Sequence, residues 1–251
     1  MNQTGGRRVT KAMQRKVHDG FQFLLLASGL TIILWFIPGA RLLVYPFRLF
    51  VTFIHEGGHA LVTLLTGGAV SGLRIHLDAS GETLSVGGFP LFIVSAGYLA
   101  STIYGASLLS LCRDGKNAKA VLTITAAGIL GLTLFFARGG LTLMTGIGLA
   151  IVLVFVALAL SERATHFFLS FLAIQCCLNA LFDLQTLFLV SALSDTPSDA
   201  FNMARMTGVP AMFWALMWIG GSLAVLGVAL RSFGNPYPRS HSRKRGAYAN
   251  S

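Results

Sequence analysis

Charge is scarce in this chain. Of its 251 residues 11% are charged and nine are acidic, while 54% are hydrophobic. A soluble globular domain carries roughly 25% charged residues, so this composition cannot furnish a water-facing surface. Cysteine is scarce too: Cys112, Cys176 and Cys177 are the three, two of them adjacent and none in a CxxC spacing. That excludes a disulfide framework and a cysteine-ligated metal or redox site, and leaves small packing residues. A basic recognition surface is also missing. The formal net charge of +10 is concentrated at the ends, in Arg7, Arg8, Lys11, Arg15 and Lys16 and again in Arg231, Arg239, Arg243, Lys244 and Arg245. Between these tails nothing suits a nucleic acid; basic segments flanking membrane spans instead mark a cytoplasmic side and touch anionic lipid.

What fills the chain is apolar sequence. Runs near the ~20 residues needed to cross a bilayer recur from residue 21 to residue 231, which predicts an all-α polytopic membrane protein. The first, 21–37, is followed by no small-residue cleavage site and reads as a retained anchor. The second spans about 43–66, with Pro46 near its start. Others cover about 90–111, 118–136, 140–160, 167–190 and 210–230. Seven full crossings would put the basic tails on opposite sides; six would put both tails, the 113–119 cluster and Arg163 on one side. Six to seven transmembrane helices are therefore expected. The domain plan is a basic cytoplasmic tail (1–20), a membrane domain (21–231) and a basic disordered tail (232–251).

One stretch has a different period. Within 67–88, Leu73, Ile75 and Leu77 alternate with Arg74, His76 and Asp78; "ASG" follows, then Leu84 and Val86 alternate with Thr83 and Ser85. Alternation about a glycine-containing turn predicts a small amphipathic β-hairpin. In the next apolar run Gly97, Ser101 and Gly105 form a small-residue stripe that permits close helix contact. The segment 194–209 reads as a polar connection.

The chemistry is concentrated in "FVTFIHEGGHALVTLLTGG", residues 50–68. His55 and His59, four apart, lie on one helical face, able to meet at one metal ion. Glu56 stands next to them in the HExxH arrangement, where the glutamate takes a proton from zinc-bound water. Chance placement of six histidines and three glutamates in 251 residues would produce this motif in roughly 1 chain in 600. Its place inside a membrane-length apolar run sharpens the signal, since ionisable groups there are expensive; the alternative is a polar cluster that bridges helices. A catalytic zinc takes three protein ligands. Asp19, Asp78, Glu82, Asp114, Glu162, Asp195 and Asp199 read as tail, hairpin or loop residues. Elimination leaves Asp183, in "CCLNALFDLQTLFLV", as the acid other than Glu56 deep in an apolar run. Its alternatives are a partner for an arginine or a helix-bridging hydrogen bond. His166 is a second candidate ligand, and His76 either lines the site from the hairpin or is a solvated strand residue. Asn179, one turn before Asp183, is a candidate for holding substrate backbone.

"HEGGHALVTLLTGG", the glycine-bounded hairpin, "SAGYLAS" and a late apolar segment bearing an aspartate together resemble the site-2 protease type of intramembrane zinc metallopeptidase, and within it the peptidase M50B-like branch. The resemblance covers about residues 43–190. It implies Zn2+ held by His55, His59 and Asp183, with Glu56 as general base, and a hairpin that guides an unwound substrate segment by strand addition. It implies hydrolysis of peptide bonds in or near transmembrane segments of membrane protein substrates. Two positions depart from the family: its aspartate usually stands in a "DG" context, here "NALFDLQ", and its second core span carries Gly-Pro, here Gly97-Tyr98. The alternatives are a pseudoprotease that binds transmembrane clients without cutting them, or a metal-ion or proton transporter, although no paired inverted repeat of interrupted helices is visible. A multi-pass protein of a bacterial inner membrane is expected.

Overall fold

The computed structural model describes residues 20–31, 33–34, 37, 39, 41–113, 115–193 and 198–234. Nearly all of both basic tails lies outside the described residues, and with them the expected lipid contacts and C-terminal disorder. A short apolar helix, α1 (Gly20–Thr31), leads to α2 (Arg41–Leu65). The strands β1 (Ala69–Ile75) and β2 (Gly81–Val86) follow. Then come α3 (Pro90–Leu111), α4 (Ala118–Phe136), α5 (Gly140–Ala159), α6 (Glu162–Leu193), α7 (Asp199–Thr207) and α8 (Ala211–Gly234).

The fold is all-α apart from one hairpin, as the composition and periods predict. Among the described residues five helices, α3, α4, α5, α6 and α8, are long and apolar enough to cross a membrane, against the six to seven expected. The difference lies at the N-terminal end. The described part of α1 is short, and α2, at 25 residues, is long enough but carries Arg48, Glu56 and the two motif histidines. Large apolar side chains such as Ile124, Leu134, Phe135, Met144, Ile151 and Phe155 point outward. In water such a surface would be strongly unfavourable; in lipid it is the expected exterior.

Helix α3 runs through the middle, packed against α2, α6 and α8, and its small residues permit this. A Cβ built on Gly105 would lie 3.2 Å from both Cys176 Cβ and Cys177 Sγ of α6. The main apolar cluster, including Phe50, Phe53, Leu122, Ile129, Leu153 and Leu172, is shared by α2, α4, α5 and α6. A smaller cluster, with Leu184, Leu187, Met203 and Trp218, joins α6, α7 and α8 beside Tyr98.

The hairpin forms where predicted and β1 follows the expected period, with Leu73 and Ile75 buried and Arg74 and His76 exposed, whereas Leu77, Leu84 and Val86 are exposed. The strands pair antiparallel, Leu73 opposite Thr83 and Arg74 opposite Glu82, with an irregularity between Val70 and Gly72. The outer edge of β1 is occupied, since Arg138 N–H donates to Leu73 O (2.8 Å) and Ile75 N–H to Thr142 Oγ1 (3.0 Å). Among the described residues β2 has no second strand neighbour.

The expected polar connection at 194–209 needs correction. Residues 194–197 lie outside the described residues, but the rest is a helix with regular ends. The Ser198 side chain accepts from Phe201 N–H at its start, and Gly208 closes it at φ 74°. Asp199 is therefore the first residue of a helix, not a loop residue.

Candidate metal centre

One face of α2 builds the site. Tyr45, Arg48 and Thr52 donate in turn to three consecutive hairpin carbonyls, Leu77 (2.8 Å), Asp78 (3.4 Å) and Ala79 (2.7 Å). Their three- and four-residue spacing keeps them on one side of the helix. Glu56 and His59 continue that row. Thr83 of β2 donates to Glu56 Oε2 at 2.7 Å and lies 3.1 Å from the Glu56 carbonyl. Gly81 leaves room for this: a Cβ there would sit 2.8 Å from Glu56 Oε1 and 2.7 Å from Thr52 Cγ2. The hairpin is thus fastened along the helix that carries the motif, and Glu56 is buried with its carboxylate held.

The two glycines inside the motif have separate jobs. A Cβ on Gly58 would fall 2.8 Å from the Ala96 carbonyl oxygen, and one on Gly57 2.8 Å from Leu132 Cδ1. Glycine at both positions lets α3 and α4 close on α2 beside the histidines.

His55 Nε2 and His59 Nε2 are 3.1 Å apart, and Asp199 Oδ2 lies 3.3 Å and 3.4 Å from them. A tetrahedral zinc with bonds of about 2.05 Å separates its ligand atoms by roughly 3.3 Å, so the triangle has the size the ion requires. The donor set, two imidazoles and a carboxylate, is also one that zinc takes with a position left open. His59 Nδ1 lies 2.6 Å from the Ile93 carbonyl, an acceptor that fixes a proton on Nδ1 and turns the Nε2 lone pair inward. In the metal-free site burial alone would push the Asp199 carboxyl up, but protons shared with His55 and His59 hold it well below the usual carboxylate range. The helix N-terminus at which it stands favours the same charged form. A Cβ on Gly97 would collide with Nε2 of both histidines; the absence of a side chain there leaves the point of convergence free.

Tyr98 completes the wall. Its ring meets His55 edge-on at 4.7 Å and stacks on Trp218 at 5.4 Å. The site opens into a cavity of about 880 Å³, lined from α2, the hairpin, α3, α6 and α7.

Of the residues singled out from sequence, His55, Glu56 and His59 come together here. Asp183 does not join the histidines: the group whose ligand atoms lie within 4.8 Å of one another is His55, His59 and Asp199. Asp183 lines the same cavity from α6, as does His76 from the hairpin. Asn179 is not among the lining residues, and Asn202, one turn after Asp199 on α7, occupies such a position. His166 is remote, buried against the Cys112 carbonyl at 2.6 Å and edge-on to Phe23. Sequence reading missed Asp199, Tyr98 and Asn202 as site residues, and the parts that Gly97 and Thr83 play there. The signals for Asp199 were its N-cap serine and the closing Gly208.

A model of the peptidase M50B-like family matches residues 26–229. The chain belongs to the peptidase M50B-like family. The match reaches into every described helix and includes Asp199 and Asn202 beyond the residue-190 limit of the resemblance seen in sequence. No curated protein and no solved structure matches the chain. As an M50B-like peptidase built on five membrane-length apolar helices, it is an integral membrane protein whose histidines and Asp199 could hold a metal ion.

Proposed function

We propose that this M50B-like protein is a zinc-dependent endopeptidase that cuts other membrane proteins in or near their transmembrane segments. The observation that carries the proposal is the His55–His59–Asp199 triangle with Glu56 held beside it in one cavity. Zinc bound there supplies a Lewis acid and lowers the pKa of a water ligand to about 7. Glu56 is the proton acceptor and returns the proton to the departing amine; Thr83 fixes the carboxylate oxygen at which this occurs. Gly97 keeps the reacting position clear.

β2 is the element suited to hold substrate. Its partner strand has its far edge occupied, β2 has no second strand beside it among the described residues, and Gly81, Glu82, Thr83 and Ser85 line the cavity. An unwound segment laid along β2 gains main-chain hydrogen bonds, which a helical segment cannot make. The substrate is thus a transmembrane protein able to unwind locally, and the setting we propose is a bacterial inner membrane, with anionic lipid at the basic tails.

The deciding measurement is zinc per chain in detergent-purified wild type, His59→Ala, Asp199→Ala and Glu56→Gln. The expected result is about one zinc in wild type and Glu56→Gln, near zero in the other two, and cleavage of a co-expressed membrane substrate by wild type alone. A well-folded wild type that takes up no zinc on resupply overturns the proposal. Zinc without cleavage of any client that it binds would replace it with a pseudoprotease.

A further inference from the structure

Five carboxylates line the cavity: Glu56, Asp78, Glu82, Asp183 and Asp199. Four are engaged. Asp199 meets the histidines, Glu56 accepts from Thr83, Asp78 accepts from the Ser80 N–H (2.9 Å) and hydroxyl (2.7 Å), and Glu82 pairs with Arg74 at 3.3 Å. Asp183 alone has neither a hydrogen bond nor an ion pair among the described residues. It stands on a membrane-length helix, with Thr186 and Leu187 as its neighbours in the wall.

Asp183 is exposed to the cavity, and an ionisable residue on a membrane-length helix that faces such a cavity as a rule serves a ligand or a pathway. The positive groups within its electrostatic reach are His55 and Arg48. His55 is committed to the metal centre, and Arg48 donates to the Asp78 carbonyl. Among the described residues Asp183 therefore has no dedicated counter-ion, while the cavity has room for one to arrive with the substrate. Lysine and arginine cluster at the ends of transmembrane helices, where a segment entering this site from the membrane boundary would present them.

We propose that Asp183 is a specificity-determining residue that recognises a lysine or arginine side chain of the substrate close to the scissile bond. The proposal rests on the peptidase reading above. A basic side chain places its charged donor against the carboxylate, a charge-assisted bond. An apolar side chain of the same length leaves the carboxylate desolvated and unpaired.

The test uses the full chain, purified in detergent and loaded with zinc, and measures binding of hydroxamates by calorimetry. Lysine and norleucine side chains are compared, in two series that place the side chain on either side of the chelating group. In one series the lysine compound should bind about tenfold more tightly than the norleucine compound, the fold-change of a single charge-assisted hydrogen bond. Asp183→Asn should keep its zinc and its affinity for the norleucine compound and lose the preference, which Asp183→Glu partly restores. Equal affinities in wild type in both series, or a preference that survives in Asp183→Asn, overturns the proposal while leaving the peptidase reading intact. Loss of zinc from Asp183→Asn also overturns it, by making Asp183 a ligand. If zinc-loaded wild type binds none of the compounds, the peptidase reading itself fails and this inference falls with it.

Discussion

At the scale of single residues, the site is defined by three acceptor atoms that face one another. His59 has its Nδ1 against a carbonyl, so its Nε2 presents a lone pair to His55 Nε2 and Asp199 Oδ2 at 3.1 Å and 3.4 Å. Such a convergence is repulsive unless protons or a metal ion lie between the atoms. The same geometry separates the two late aspartates. Asp199→Ala should abolish zinc binding, and Asp183→Ala should leave about one zinc per chain; elemental analysis of the purified variants decides. Gly97 gives a sharper test, because it has no side chain with which to ligate. Gly97→Ala places a methyl group on the point of convergence. It should remove zinc as completely as His59→Ala while leaving the helical circular dichroism of wild type unchanged. Retention of zinc by Gly97→Ala would mean that the ion, if bound, lies elsewhere.

At the scale of elements, what could be read in advance depended on how far each element announces its own period. The helices α3 to α6 begin and end within a few residues of the apolar runs at 90–111, 118–136, 140–160 and 167–190, because membrane helices are uniformly apolar and their ends are abrupt. The hairpin was legible from the strict alternation between Leu73 and Leu77. α7 was not, because at nine residues its amphipathic pattern is too short to stand out among polar neighbours. Only its caps, Ser198 and Gly208, betray it. That oversight left Asp199 out of the candidate ligands, since elimination discarded it as a loop residue and kept Asp183. Element packing also yields a stability prediction. Gly58 faces Ala96 and Ala100 of α3 at distances no Cβ tolerates, whereas Gly148 of α5 has nothing within 4 Å. Gly58→Ala should therefore destabilise the fold by about 1–3 kcal/mol, the range for overpacking. Gly148→Ala should be neutral or slightly stabilising, because alanine is the better helix former. Thermal unfolding of both variants in the same detergent provides the comparison.

At the scale of the whole molecule, the centre ties together parts of the chain that are distant in sequence. His55 and Asp199 are 144 positions apart, and α7, which carries Asp199, packs chiefly on α8 and only lightly on α3 and α6. A metal ion shared by α2 and α7 therefore acts as a cross-link, holding α7 to the body of the protein. Anything that binds the folded state and not the unfolded one stabilises it by mass action, about 2.7 kcal/mol at a free concentration 100 times Kd. Wild type in excess zinc should accordingly unfold at a higher temperature than wild type after chelation. His59→Ala and Asp199→Ala should unfold at one temperature under both conditions. Glu56→Gln is the informative control, since Glu56 touches the site without ligating: its response to chelation should equal that of wild type. Local exchange should follow the same pattern. In hydrogen exchange the amides of α7 should lose protection on chelation well before those of α4 and α5, which pack on each other and line no part of the cavity. Uniform loss across all helices would instead mean that the ion supports the whole bundle, and that α7 is held as firmly by its apolar contacts with Trp218 and Leu184 as by Asp199.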